Sequence, residues 1–285
     1  MMRKTINILQ ATLLFGLMLM SIACSKEDSP TPEFEEENLA HLSVEFDNIV
    51  GERTLVLNNT ASPYRNAAEE PFTISMLQYF ISNIKVTTAQ GNVYTVNQDS
   101  SYFLIKGNDK ATRFAKVRVP EGDYTNLSFI VGVDSLRSTM PVDKRTGVLD
   151  PAAGGGMEDA GMYWGWNSGY IFFKMEGKSD VVSNDANGDP TGNKQFKYHI
   201  GFFGGYSAPT INNIKVINVD LRTGGIAKVR KDRQSNIHLF VDVMKVFNGK
   251  NSFKIQENPN VMFSDFSSKI AANLLDLFRH DHTEN

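Results

Sequence analysis

The chain is poor in the residues that usually announce a chemistry. It holds one cysteine, two tryptophans and five histidines in 285 residues. The lone cysteine, Cys24, excludes an internal disulfide and any CxxC pair for redox work or zinc. No HExxH, GxSxG or P-loop run occurs, so zinc hydrolases, α/β-hydrolases and P-loop NTPases find no motif here. Carboxylates are plentiful (Asp134, Asp143, Asp150, Glu158, Asp159), yet no spacing among them selects an acid/base pair. Basic clusters are missing and the net charge is −3, which makes nucleic acid a poor partner.

What is present begins with an export signal. Arg3 and Lys4 form a positive start, Ile6 to Met20 is mostly apolar, and small residues precede Cys24. The run Ser21-Ile22-Ala23-Cys24 resembles a bacterial lipobox, with Ser21 where the pattern prefers leucine. The expectation is a lipoprotein signal peptide over 1–23 and lipidation of Cys24; the alternative is an ordinary signal peptide with an incidental cysteine. Removing residues 1–23 takes away Arg3 and Lys4 and no acid, moving the net charge from −3 to −5. Residues 24–40 are acidic, carry Pro30 and Pro32, and read as a disordered tether. Lys26-Glu27-Asp28 resembles the charged export signal of Bacteroidetes surface lipoproteins. The expected location is therefore the outer membrane, held by the lipid anchor and facing the periplasm or the cell surface.

Residues 41–285 read as a single all-β domain, an antiparallel β-sandwich with a short C-terminal α-helix. Leu42–Phe46 alternates apolar and polar residues. Tyr79–Val86 and Val93–Val96 flank the hairpin signal Gln90-Gly91-Asn92. Ser101–Ile105, Ala115–Val119 and Leu127–Val133 follow, the last two joined by a Pro120–Tyr124 turn. Tyr170–Met175 reads as a strand buried on both faces, and Phe196–Ile200, Ile214–Leu221 and Ile237–Val246 complete the set. Helical spacing of Phe266, Ile270, Leu274, Leu277 and Phe278 predicts a helix over 264–279, capped by Ser264 or Asp265. A short helix around Ile74–Tyr79 is a further candidate.

Both tryptophans, Trp164 and Trp166, fall in the run MEDAGMYWGWNSGYIFFKMEG. On an extended chain, positions i and i+2 point the same way, so the indoles are expected to form one aromatic wall among small residues. Two histidines are candidate metal ligands: His199, among glycines 201, 204 and 205, and His282, in the terminal His280-Asp281-His282. His238 shares a strand face with Asp242 and reads as half of a structural pair. Asp134 and Arg137 read as a local ion pair. Asp185-Ala-Asn187-Gly-Asp189 places oxygens as a calcium loop does, but Pro190 stands where an EF-hand needs glycine and no closing glutamate follows. A solvated turn is the expectation there.

Several segments together are similar to the MbnP-like family of exported bacterial copper-binding proteins. They are LQYFISNI (77–84), VPEGDY (119–124), IVGVD (130–134), LDP (149–151), MYWGWNSGY (162–170), YHIG (198–201) and the terminal Asp281-His282. The resemblance implies a sandwich fold and copper held by histidines together with a tryptophan-derived kynurenine, made by an exported di-haem partner of the peroxidase type. On this chain it points to His199 and His282 as ligands and to Trp164 or Trp166 as the oxidised residue. Some members carry a histidine in the first strand, near the place where this chain reads Phe46-Asp47-Asn48-Ile49, and cysteines that it lacks. The expected role is binding without turnover. Its rival is a surface glycan- or protein-binding lipoprotein with the two indoles as a stacking platform.

Overall fold

The computed structural model describes residues 36–151 and 161–285. The leader, Cys24 and the tether to residue 35 lie outside the described residues, as do residues 152–160 with Glu158 and Asp159. In chain order the strands are β1 (Leu39–Val50), β2 (Arg53–Thr54), β3 (Tyr64–Arg65), β4 (Pro71–Thr88), β5 (Val93–Thr95), β6 (Tyr102–Lys106), β7 (Phe114–Pro120) and β8 (Gly122–Val131). They continue with β9 (Tyr163–Gly165), β10 (Gly169–Lys178), β11 (Gln195–Gly201), β12 (Lys215–Asp220), β13 (Ala227–Val229), β14 (Ser235–Asp242), β15 (Asn260–Val261) and β16 (Phe278–Glu284). Among the described residues, short α-helices interrupt them at α1 (Ser135–Ser138), α2 (Lys245–Asn248) and α3 (Ser267–Asn273).

The strands form two sheets. The first runs β16–β14–β1–β7, with β2 added at the end of β1. Its central pair is parallel, Leu42–Ile49 lying beside Ser235–Asp242, while its other pairs are antiparallel. The second runs β12–β8–β4–β10–β11–β15 around the long β4. Tyr79 of β4 sits between Phe173 of β10 and Ile105 of β6, and Val86 between Leu127 of β8 and Tyr94 of β5. The Ile74–Tyr79 segment is therefore strand, not helix: its aromatic and β-branched residues are paired across the sheet, and pairing overrides a weak local preference.

The sheets pack face to face through an aromatic core. Phe46 of β1 meets Phe129 of β8 edge-on at 5.5 Å, and Phe278 of β16 meets Phe129 at 5.1 Å. Phe46 and Phe129 are buried, and burying each such ring stabilises the fold by roughly 1.5–3 kcal/mol. The outer face of the second sheet carries a further cluster of Phe80, Tyr170, Phe172, Val133, Leu149 and Phe203. That cover is why β10 is buried on both faces, as its unbroken apolar run predicts. Among the described residues the first sheet has no such cover on β14, where buried and half-buried residues alternate strictly.

The C-terminus departs from the predicted helix over 264–279. Helix α3 begins at Ser267 without a side-chain cap, a tight turn covers Leu274–Asp276, and the chain then joins β14 as β16. Phe278 belongs to the aromatic core with Phe46, Tyr79 and Phe129. Tertiary pairing thus ends the helical pattern there and turns His280-Asp281-His282 into strand residues.

Candidate metal centre

His238 lies midway along β14 with its side chain on the open face of the first sheet, 13% exposed. Its cross-strand partner on β16 is His282, but the next pair is Leu239 with His280. Asp281 is thus an extra residue, the signature of a β-bulge, and a bulge re-aims side chains that strict alternation would send to opposite faces. Asp281 and His282 consequently converge on His238. Asp281 Oδ2 lies 3.1 Å from His238 Nδ1 and 2.8 Å from His282 Nδ1. The two rings stand 5.0 Å apart, centre to centre. One donor atom from each of the three residues falls within a 4.8 Å span.

An ionised carboxylate only accepts, so both Nδ1 atoms donate protons to Asp281 in this arrangement. The bond from His282 holds the Asp281 carboxyl below its usual range, and the same bond raises the His282 imidazole above its usual value. On their far sides the rings face further carboxylates: His238 Nε2 is 3.8 Å from Asp47 Oδ2, and His282 Nε2 is 3.6 Å from Glu284 Oε1. Arg113 binds Asp47 and approaches Glu45 at 3.5 Å. Two imidazoles and one carboxylate form a donor set suited to copper or zinc. Bonds of about 2.0–2.1 Å need donors within roughly 4.2 Å of one another, a closure of a few tenths of an ångström from the present span.

His199 and His282 stand on different sheets. On β11, His199 Nε2 is 2.7 Å from Glu176 Oε1, and Lys174 Nζ lies 3.7 Å from the same oxygen. The bond from His199 holds the Glu176 carboxyl below its usual range. The two predicted ligands therefore share no partner, and His282 is joined instead by His238. Asp242, expected to pair with His238, accepts from the backbone N–H groups of Gly51 and Met244 at 2.7 and 3.1 Å, because the strand ends in a turn there. His280 lies against Gly224 and bonds Thr283 Oγ1 at 2.9 Å; burial lowers its imidazole.

The remaining predicted features also find their places. Trp164 lies over Gly201, where a Cβ would come within 2.7 Å of the indole, and stacks on Phe263 at 4.7 Å. Trp166, 39% exposed, packs against Tyr206 at 4.9 Å beneath the Arg145 guanidinium at 4.7 Å. Gly165 between them has φ +146°, outside the extended conformation, and no ring contact joins the indoles. The single aromatic wall is thus two separate packings. Gly201 follows His199 by two residues on β11, so Trp164 covers the face that carries His199.

Asp134 does not pair with the Arg137 guanidinium. It caps α1 by accepting from the Arg137 backbone N–H at 2.9 Å, and the guanidinium reaches Asp99 instead. In the calcium-like loop, Asp185 accepts from Ser183 Oγ at 2.8 Å and the Asn187 N–H at 2.9 Å, while Asp189 accepts from the Gln195 N–H at 3.0 Å. Those carboxylates serve their own turns.

The architecture and this site define a two-sheet sandwich with a histidine–carboxylate cluster on its open face. The chain belongs to the MbnP family, whose model matches residues 40–263. That span contains Asp47, His199 and His238, and it ends before Asp281 and His282. The solved structure of MbnP from Methylosinus trichosporium is similar over 76% of this chain and 80% of that one, with a TM-score of 0.52 and 16% identity. At that identity the likeness speaks for the fold. A comparison with curated proteins finds no match.

Proposed function

We propose that the protein is an exported, lipid-anchored copper-binding protein that holds the ion at His238, His282 and Asp281. The observation that carries this reading is the convergence of two imidazole nitrogens on one carboxylate oxygen, at 3.1 and 2.8 Å. Imidazole binds both common oxidation states of copper well, and a half-exposed His282 leaves a side open for exchange. Protons compete for the same nitrogens. With the His282 value raised, copper affinity falls as the pH drops toward and below the ordinary histidine range.

The tryptophan-derived ligand implied by the family resemblance does not fit this centre. Trp164 and Trp166 pack with Phe202, Phe263 and Tyr206 alongside the second sheet, and neither meets His238 or His282 in a ring contact. An exported di-haem partner of the peroxidase type would therefore act on the tryptophan segment rather than at the histidines. Cys24 supplies the anchor to the outer membrane, and residues 24–40 the tether. A second reading, recognition of a glycan or protein, draws on the exposed aromatic surface of Trp166, Tyr206 and Phe263, 39%, 53% and 61% exposed.

Copper titration of the protein and three variants tests the first reading. His238→Ala and His282→Ala should each weaken copper binding by more than the ~10–100-fold typical of losing an outer partner, and His199→Ala should leave it unchanged. Undiminished binding by either of the first two variants ends the proposal. Trp166→Ala serves the second reading: loss of glycan or protein binding with copper retained would favour it.

A further inference from the structure

We propose that Asp47 is the positioning residue of this centre, turning His238 so that Nδ1 meets the metal while Nε2 keeps its proton. The inference rests on the copper reading above. A metal on one imidazole nitrogen leaves the N–H on the other, and metal-bound histidines usually direct that N–H to a carboxylate or carbonyl that orients the ring. His238 has Nδ1 directed at Asp281, 3.1 Å away, and Nε2 directed at Asp47 Oδ2, 3.8 Å away. The second distance is an ion-pair contact, slightly too long for a hydrogen bond.

Asp47 is itself held. Arg113 binds its Oδ1, leaving Oδ2 toward the ring, and Arg113 Nε lies 3.5 Å from Glu45 Oε1. Glu45 in turn accepts from Asn236 Nδ2 at 3.2 Å. The side chains of Glu45, Asp47 and Arg113 are 17%, 22% and 29% exposed, so solvent screens this chain only in part. Cross-strand register sets Glu45 beside His238, which places the whole chain on the face that carries the centre.

His282 offers the internal control. Its Nε2 faces Glu284 at 3.6 Å, a similar separation, but the Glu284 side chain is 66% exposed, and its contact among the described residues besides His282 is a long hydrogen bond from Asn236 Nδ2 at 3.4 Å rather than an ion pair with a guanidinium. A weakly held, solvated carboxylate loses side-chain entropy when it orders and contributes little. The two histidines thus have matching partners of unequal rigidity, and only the rigid one fixes a ring. A cation seated instead between His238 Nε2 and Asp47 would compete with Arg113 and forgo His282 and Asp281.

Asp47→Asn and Glu284→Gln in the full chain, titrated with copper, separate these roles. Asp47→Asn should weaken copper binding ~10–100-fold and Glu284→Gln less than ~3-fold. Asp47→Glu should recover part of the loss, and circular dichroism should show all three folded. Long-range proton–nitrogen NMR of the protein loaded with Cu(I) should find the metal on Nδ1 of His238 and a proton on Nε2. Metal on Nε2, or an Asp47→Asn variant that binds like the wild type, overturns the proposal while leaving the copper reading standing. A wild type that takes up no copper, or a His238→Ala variant that binds unchanged, removes both.

Discussion

The outer faces of the two sheets follow the same rule of alternation and come to opposite ends. On β14 every second residue (Asn236, His238, Phe240, Asp242) stays half-buried. On β10 those positions are Tyr170 and Phe172, sealed in a second core with Val133, Leu149, Phe203 and Tyr163 of β9. Polar groups near the covered face are tied into fixed pairs, as His199 and Glu176 are. On the open face, carboxylates and imidazoles are gathered without being sealed, and three of them share one focus. A sandwich of this kind devotes one outer face to stability and leaves the other available for chemistry.

Truncation on the two faces should break that symmetry most clearly. Phe172→Ala empties a fully buried site and is expected to cost about 3–5 kcal/mol in thermal or denaturant unfolding. Phe240→Ala, at a half-buried position beside His238 and Arg279, should cost less than ~1 kcal/mol. Equal losses would mean that the two faces are packed alike.

Gly201→Ala is the next largest effect. Its Cβ would meet Trp164 at 2.7 Å and the Tyr170 carbonyl oxygen at 2.5 Å. Overpacking of this kind costs about 1–3 kcal/mol, and displacement of the indole should appear as a shift in tryptophan emission. Unchanged emission and stability would show that Trp164 is not seated on that glycine.

A smaller effect is expected at the rim of the covered face. Glu176 has a folded value lowered by its bond with His199, so its contribution is present above the unfolded value of 4.5 and is lost as pH falls through the folded value. Glu176→Gln should therefore lower stability at neutral pH and flatten the acid limb, with the difference from the wild type shrinking as the pH falls through the folded value. An acid limb identical to wild type would contradict the pairing. Smallest of all is His238→Ala, which should leave the unfolding midpoint nearly unchanged while weakening copper binding by more than ~10–100-fold. That split between stability and binding is what an open face predicts.

Much of this contrast was legible in the residues, and the rest depended on register. The continuous run Tyr170–Met175 predicts a strand sealed on both sides, and the Gln90-Gly91-Asn92 hairpin and Pro120–Tyr124 turn join the expected strands. Family-like segments such as IVGVD and MYWGWNSGY pointed to the sandwich fold as well. His238, by contrast, looked structural, because its neighbours in sequence offered only Asp242. The pairing of β14 with β16 joins residues some forty positions apart, and a bulge at Asp281 then puts two adjacent residues on one target. Neither long-range register nor a bulge leaves a mark in local spacing. The C-terminal helix expected over 264–279 forms, but only over Ser267–Asn273 with a tight turn to Asp276, for a related reason: Phe278 fits a helical stripe and also fits the core of the sandwich, and the core prevails.

The position of copper in the protein decides the account most directly. Crystals grown with copper, measured on both sides of the copper absorption edge, should show one anomalous peak bounded by His238 Nδ1, His282 Nδ1 and Asp281. A peak at His199 or beside Trp164, or none at a copper concentration that saturates binding in solution, would contradict it.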